Sequence, residues 1–254
     1  MACLFGCAVL LLFSTPVSAG NFRFYVGELF PYVIRVGPDG YAGAAVDVVS
    51  EIMAEAGSPV EPGDLARISW PRAIDDVESS MNMGIFCMAR TPLRENLFKW
   101  VGPIAHLKLG LIGRKSSRMT IRNFADLAHH EIGVIRNSGP HTMLTAEGVP
   151  AANLTLLLDN EQQFRMLHEG RVDLITQADV AAPYYLREMG LNPDEYEMVY
   201  VLKELDLYVA FNKNTPDRFI RRVQAALDAM KKPDVQGSSR FQRILDRYTQ
   251  GKEN

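Results

Sequence analysis

One arginine in the first half of the chain stands where it could bind an anion. A buried strand is followed by Thr91 and Pro92, which suit the N-cap and the first position of a helix. Arg94 then falls in the first helical turn, where its charge opposes the helix dipole. That position makes chemical sense if an anion docks there and meets free backbone N–H groups together with a guanidinium. The alternative is a surface arginine that pairs with Glu95 or Glu28.

Ser138 and Gly139 occupy a similar place further along the chain. They follow the predicted strand 131–135 and stand at the start of the next predicted helix. Glycine lets a ligand approach the backbone closely, and serine adds a hydroxyl group. Ligands of open α/β sheets bind at the carboxyl ends of strands. Two such ends that face each other across a cleft would form one site, whereas the alternative is an ordinary strand–helix turn.

Asp179 follows a third predicted strand, 172–176, and is predicted to be the N-cap of the next helix. Its carboxylate could alternatively accept a hydrogen bond from a ligand ammonium group. Cys87 lies in the strand before Arg94 and is predicted to be a buried apolar residue, not a nucleophile. We predict no cofactor and no metal, because the His129-His130 pair lacks acidic or cysteine partners at metal-site spacing.

The elements that position these residues alternate between strands and helices, which predicts an α/β protein with parallel-rich sheets. Strands are predicted at 22–26, 32–36 with 41, 84–88, 107–112, 131–135, 154–158, 172–176, 198–202 and 207–211. Helices are predicted at 46–56, 71–80, from 92 onward, 121–127, 141–147, 160–169, 180–189, 216–230 and 239–248.

The first nineteen residues predict export. Residues 1–19 contain no charge, hold an apolar run and end in Val17-Ser18-Ala19, which is typical of a signal peptide. Cys3 and Cys7 would leave with it, so Cys87 would have no disulfide partner. The net charge of −3 and the absence of a basic stripe argue against a nucleic-acid partner.

Four segments, in order, match a set of known motifs. Gly43-Ala-Ala-Val-Asp47 resembles G-F-D-x-D-L, and Trp70 opens a segment similar to W-x-x-L/A-I/L. Thr91-Pro-Leu-Arg94 with Phe98-Lys-Trp-Val-Gly-Pro103 resembles T-x-x-R…F-S-x-P-Y, and Gly170-Arg-Val-Asp173 resembles G-R-x-D-A. By these segments the sequence resembles the family-3 extracellular solute-binding proteins, which include the polar amino-acid receptors of ABC importers.

The resemblance implies a type II periplasmic-binding-protein fold, in which two α/β lobes are joined by two crossing strands. Lobe one would hold residues 20–108 and 209–254, lobe two would hold residues 109–208, and residues 1–19 would be the signal peptide. Such a fold closes on its ligand by hinge bending. The expected protein is a periplasmic monomer that delivers a small carboxylate-bearing solute, with an amino acid as the expected class, to the membrane permease of an ABC importer.

The resemblance also implies roles for particular residues. Arg94 would bind the ligand's α-carboxylate beside Thr91 and Ala89, with help from Ser138 and Gly139 across the cleft. A carboxylate near Asp179 would bind the α-amino group. Three aromatic residues are candidates for an apolar wall: Phe30, Tyr32 and Trp70.

Several positions depart from the family pattern. The usual aspartate aligns with Ala178, so that Asp179 is one place late, and Arg90 replaces an apolar residue. If the ammonium contact is lost and Arg90 or Arg136 faces the cleft, the ligand would be an acid without an amino group. Two other functions stay open: an enzyme on the same fold that resembles periplasmic cyclohexadienyl dehydratases, and a sensory subunit that presents its ligand to a membrane receptor.

Overall fold

The computed structural model describes residues 22–249, and within this range the chain forms ten strands and seven α-helices. The strands are β1 (Arg23–Tyr25), β2 (Ile34–Val36), β3 (Gly40–Ala42), β4 (Leu65–Ala66), β5 (Met83–Ala89), β6 (Phe98–Arg114), β7 (Ile132–Ile135), β8 (Leu154–Leu157), β9 (Leu174–Ala178) and β10 (Tyr196–Asn212). The helices are α1 (Ala44–Glu55), α2 (Trp70–Ser79), α3 (Gly139–Ala146), α4 (Asn160–His168), α5 (Ala182–Glu188), α6 (Asp217–Met230) and α7 (Arg240–Thr249). The predicted signal peptide lies outside the described residues.

Eight of the strands form one curled sheet in the order β4-β1-β5-β10-β6-β9-β7-β8. Strand β1 is parallel to β4 and β5, and strand β7 is parallel to β8 and β9. The long strands β6 and β10 pair with each other in the middle and run antiparallel. The sheet therefore has a first half (β4, β1, β5) and a second half (β9, β7, β8), and the two long strands cross from one to the other.

Each half of the sheet is covered by helices on both faces. In the first half, a large cluster that includes Phe24, Ile52 and Phe211 packs under α1 and α6, and Ala73 and Val77 of α2 cover the other face. In the second half, one face packs against Leu144 of α3, and the other packs against α4 and α5. This arrangement is the layered α/β architecture that the alternating pattern predicts.

The last helix, α7, is attached to α1 by a row of polar contacts. Arg240 forms ion pairs with Glu51 and Glu55, and the Arg247 side chain lies 3.2 Å from the carboxylate of Asp47. The Tyr248 hydroxyl donates to the same carboxylate at 2.9 Å. Asp47 belongs to one of the four family-like segments, and the structure gives it this structural contact.

Most predicted elements are confirmed to within a few residues, with some differences. The strand predicted at 107–112 begins nine residues earlier, at Phe98, and the helix predicted at 121–127 is a 3₁₀ helix at Phe124–His129. No helix begins near Pro92, because residues 92–97 form successive turns that end at β6. The two strands predicted at 198–202 and 207–211 are one strand of 17 residues. The two-residue strand β4 was not expected.

Candidate functional site

The carboxyl ends of the two parallel groups of strands point toward each other. At the end of β5, Ala89 pairs with Leu207, which pairs in turn with Ala105 of the crossing strand β6. At the end of β9, Ala178 pairs with Leu109 of the same crossing strand. Because β5 runs parallel to β6 and β9 runs antiparallel to it, the two groups converge on residues 105–109. This arrangement is the cleft geometry that the sequence predicted for a ligand site.

A cavity of about 510 Å³ lies between the two halves. Its walls come from the first half (Val26, Gly27, Glu28, Arg67, Ile68, Ser69 and Trp70) and from the second half (Ile135, Leu158, Asp159, Asn160 and Tyr185). Of the predicted site residues, Trp70 is the one that lines this cavity. The volume is in the range of small-molecule sites.

Among the polar groups of this cavity, Glu28 was named from the sequence as a possible partner of Arg94, and the others were not expected. Glu28 and Arg67 form an ion pair at 3.0 Å, and the Asn160 amide donates to the Tyr185 hydroxyl at 2.9 Å. Arg67 follows a strand of two residues, which is too short to show an alternating pattern, so no signal in the sequence marked it.

Arg94 lies in a turn after β5, so the prediction of a helical first turn is wrong for it. Its backbone N–H donates to the carbonyl of Thr91, and its guanidinium lies 3.4 Å from the carbonyl of Ala89. Thr91 is accordingly part of this turn and does not cap a helix. Among residues 22–249, no carboxylate lies within 4.0 Å of Arg94, and the two partners considered above, Glu28 and Glu95, are paired with Arg67 and Arg90.

Arg90 and Arg136, the other two arginines that the sequence suggested for the site, have different surroundings from Arg94. Arg90 Nε donates to Glu95 at 2.7 Å, and its guanidinium lies 5.8 Å from the Trp100 ring centroid and 5.6 Å from that of Tyr208. The hydrogen bond to Glu95 raises the pKa of Arg90 further. Arg136 is exposed. None of the three arginines lines the cavity. Arg94 stays the candidate carboxylate ligand because it is half-buried, unlike Arg136, and is not paired with a carboxylate of residues 22–249, unlike Arg90.

Ser138 and Gly139 begin a helix as predicted. Ser138 is the N-cap of α3, and its hydroxyl accepts a hydrogen bond from the N–H of His141 at 3.3 Å. Gly139 is exposed, and a Cβ atom placed on it would meet no atom within 4 Å. Ile135, at the end of the preceding strand, lines the cavity, so this helix start lies close to the cavity wall.

Asp179 has a different role from the one predicted. Helix α5 begins at Ala182 with Ala181 as its N-cap, so Asp179 does not cap it. One oxygen of its carboxylate instead accepts from the N–H groups of Lys108 at 3.0 Å and Val180 at 2.8 Å. The Asp179 N–H donates to the carbonyl of Lys108 at 2.9 Å. Asp179 therefore braces the second half of the sheet against crossing strand β6.

Tyr32 braces the first half against the same strand. It is buried, and its hydroxyl donates to the carbonyl of His106 at 2.7 Å. Burial raises the pKa of Tyr32 to about 12, and the neighbouring Cys87 and Asp179 act in the same direction. Gly43 permits the close approach of this segment, because a Cβ atom there would lie 2.4 Å from the carbonyl oxygen of Tyr32.

Phe30, the remaining aromatic candidate, contacts the opposite half of the sheet. Its ring stacks on Tyr184 of α5, with ring centroids 3.7 Å apart and planes 13° apart. Cys87 adopts a left-handed conformation (φ 58°) at an irregularity of β5, and burial raises the pKa of its thiol. Neither residue lines the cavity.

Other kinds of site have little support in the described part of the chain. Across residues 22–249, no three His, Cys, Asp or Glu side chains are grouped to hold a metal ion. The helices of the same range are all too short or too polar to cross a membrane.

Comparison with known proteins identifies the fold. No protein-family model matches the sequence, and no curated protein matches it. Solved structures do match: the substrate-binding protein of an ABC uptake transporter from Streptococcus pneumoniae, with bound histidine, is 17% identical with a TM-score of 0.69, covering 90% of this chain and 92% of that chain.

Two further similar structures are a ligand-binding core and a sensor domain. The GluR0 ligand-binding core in complex with L-glutamate is 15% identical with a TM-score of 0.71 and covers 91% of this chain and 99% of that chain. A histidine kinase sensor domain with similarity to periplasmic binding proteins is 17% identical with a TM-score of 0.71 and covers 91% of this chain and 96% of that chain. The chain therefore has the periplasmic-binding-protein fold, as the family resemblance implied.

Proposed function

We propose that this chain is a periplasmic solute-binding protein that captures a small carboxylate-bearing solute and delivers it to the permease of an ABC importer. Two lobes, residues 20–108 with 209–254 and residues 109–208, would close on the solute by hinge bending. An amino acid is the first class of solute to test, because the structurally similar proteins include complexes with histidine and L-glutamate.

The observation that carries this proposal is the position of Arg94. Its guanidinium lies at the carboxyl end of β5, where the two halves of the sheet converge, and no carboxylate of residues 22–249 lies within 4.0 Å of it. Arg94 is half-buried, and a guanidinium in this position can form a bidentate, charge-assisted contact with a carboxylate. In our proposal Ser138 and Gly139 complete the contact from the second half.

The test is a thermal-shift screen of L-arginine, L-glutamine, L-glutamate and L-histidine against glutarate and 2-oxoglutarate, which lack the amino group. A solute at about one hundred times its Kd stabilises the folded state by about 2.7 kcal/mol and raises Tm by several degrees. We expect Arg94→Ala to abolish the shift, because removing one partner of a buried charge pair costs about 2–5 kcal/mol.

Arg90→Ala is the matched control. It removes an arginine from the same segment, but one whose guanidinium is occupied by Glu95 and the Trp100 and Tyr208 rings. We expect Arg90→Ala to have a lower Tm than the unaltered protein without solute, and the same increase in Tm when solute is added. A shift that persists in Arg94→Ala would reassign the carboxylate site, and the absence of any shift in the unaltered protein would count against the proposed function.

An enzymatic role requires a free general acid or base in the cleft. From the sequence, Glu28 and Asp179 could be proposed for this role, but both are engaged: Glu28 is paired with Arg67, and Asp179 accepts from two backbone N–H groups. We therefore propose binding without turnover. The screen solutes should be recovered unchanged after incubation, and a product peak would overturn this part of the proposal.

A sensory role shares the binding step and differs in the partner. The similarity to a histidine kinase sensor domain keeps this role as the second candidate. Cells that lack a transport receptor lose uptake of the solute, whereas cells that lack a sensory subunit keep uptake and lose the response. Measuring uptake of the labelled solute in a deletion strain distinguishes the two.

A further inference from the structure

One aromatic contact joins the two halves of the sheet away from the crossing strands. The Phe30 ring, which follows β1, stacks face to face on Tyr184 of α5, with centroids 3.7 Å apart. Between residues 22–104 and residues 115–195, the structure contains no salt bridge and no side-chain hydrogen bond. The polar contacts of Tyr32 and Asp179 reach only the crossing strand β6, at His106 and Lys108.

Each ring of the pair is anchored in its own half. Phe30 packs against the large core cluster under α1 and α6. Tyr184 packs edge-on against Tyr185 at 5.5 Å, and Tyr185 stacks in turn on Phe164, which is fully buried in the second half. Rigid opening of the two halves must therefore separate Phe30 from Tyr184.

The pair also lies next to the proposed solute cavity without lining it. Tyr185, the neighbour of Tyr184, contributes a wall of that cavity. Additional apolar contact occurs where Ala178 and Ala181 join the core cluster of the first half. The stack thus extends the contact between the halves beyond the cavity.

We propose that the Phe30–Tyr184 stack is an affinity-determining contact that favours the closed arrangement of the two halves before a solute arrives. A contact present in the closed arrangement and absent from the open one raises the ratio of closed to open protein by a factor that grows exponentially with the free energy of the contact. Solute that binds best to the closed arrangement then binds more tightly. This inference rests on the proposed function for its effect on affinity, but its effect on the shape of the ligand-free protein does not.

The first experiment is small-angle X-ray scattering of the full chain without solute. We expect Tyr184→Ala to have a larger radius of gyration than the unaltered protein, and Tyr184→Phe, which keeps the ring, to match the unaltered protein. Identical scattering of the unaltered protein and Tyr184→Ala would overturn the proposal. Circular dichroism verifies that Tyr184→Ala is folded, and Phe30→Leu provides a second variant with the same expectation.

The second experiment measures the affinity for the solute that raises Tm most in the thermal-shift screen. Breaking one aromatic pair is expected to weaken binding about two- to tenfold. In a double-mutant cycle, Phe30→Leu and Tyr184→Ala together should weaken binding no more than the stronger single change. Fully additive effects would overturn the proposal. If no solute binds, the proposed function fails while the scattering result still decides the stack.

Discussion

At the scale of single residues, the cleft depends on side chains that hold the crossing strand in place. Tyr32 and Asp179 reach β6 from opposite halves and bind backbone groups only two residues apart, at His106 and Lys108. Neither needs a solute for these bonds. Both residues were candidates for solute contact, and the structure supports a bracing role for each.

Tyr32 gives this bracing a measurable pH dependence. Its pKa in the folded protein is raised to about 12, whereas an unfolded tyrosine titrates near 10. The stabilisation is complete below pH 10 and is lost as the pH rises through 12, up to about 2.7 kcal/mol for a shift of about two units.

We expect Tyr32→Phe to lower the free energy of unfolding by about 1 kcal/mol at pH 7, because the hydrogen bond to the His106 carbonyl is lost. The difference in the free energy of unfolding between the two proteins should shrink or reverse between pH 10 and 11.5, because only the unaltered protein has the Tyr32 hydroxyl whose ionisation removes stability there. Urea unfolding across this range measures it, with Tyr41→Phe as the control. A deficit that stays constant up to pH 11.5 would contradict the assigned cause.

At the scale of elements, Asp179 connects the end of β9 to crossing strand β6. A carboxylate is not required for this contact, because an amide oxygen can accept from the same two N–H groups. We therefore expect Asp179→Asn to keep its stability and its affinity for the screen solute within about twofold. Asp179→Ala should lose about 1–2 kcal/mol in urea unfolding.

The opposite pattern has a clear meaning for the same residue. If Asp179→Asn kept its stability, lost its affinity for amino acids and still bound glutarate or 2-oxoglutarate, Asp179 would be the ammonium ligand. Calorimetric titration of both variants with one solute of each kind separates the two roles.

The sequence predicted most elements because buried helices and strands carry their pattern locally. Helix α1 shows helical spacing from Val46 to Ile52 and ends before Gly57, whose φ of 77° suits glycine. The predicted helix at Pro92 failed because it lacks an apolar face that packs: Leu93 is 91% exposed. Its capping residues form a turn instead.

The length of the crossing strands was not predictable from alternation. Strand β10 carries Lys203, Glu204 and Asp206 in its middle, where it passes between the halves and no helix layer covers it. Register shifts interrupt its pairing with β6 as well. Polar residues at its centre and interrupted pairing give such a strand a sequence pattern typical of two short strands joined by a loop.

The candidate site was predictable only in part, because its contacts join distant segments. Arg94, Ser138 and Gly139 could be proposed from the chemistry of strand ends. The Glu28–Arg67 pair joins two distant segments of the first half, and the Phe30–Tyr184 stack depends on how the two halves meet. No local pattern records either contact.

At the scale of the whole molecule, the proposed function requires the two halves to close over the cavity, and the two tryptophans offer a way to observe this. Trp70 lines the cavity, whereas Trp100 packs against Phe98, Tyr208 and Arg90 within the first half and its neighbouring strands. Closure should therefore change the surroundings of Trp70 and leave those of Trp100 unaltered.

We expect Trp100→Phe, in which Trp70 is the remaining tryptophan of the chain, to show a blue shift and weaker acrylamide quenching when the screen solute is added. The physical reason is that closure and the solute exclude water from the indole ring. Trp70→Phe, which keeps Trp100, is the matched control and should show no change in emission. A response from Trp100 alone would place the solute outside the cavity between the halves, because the Trp100 ring does not line that cavity.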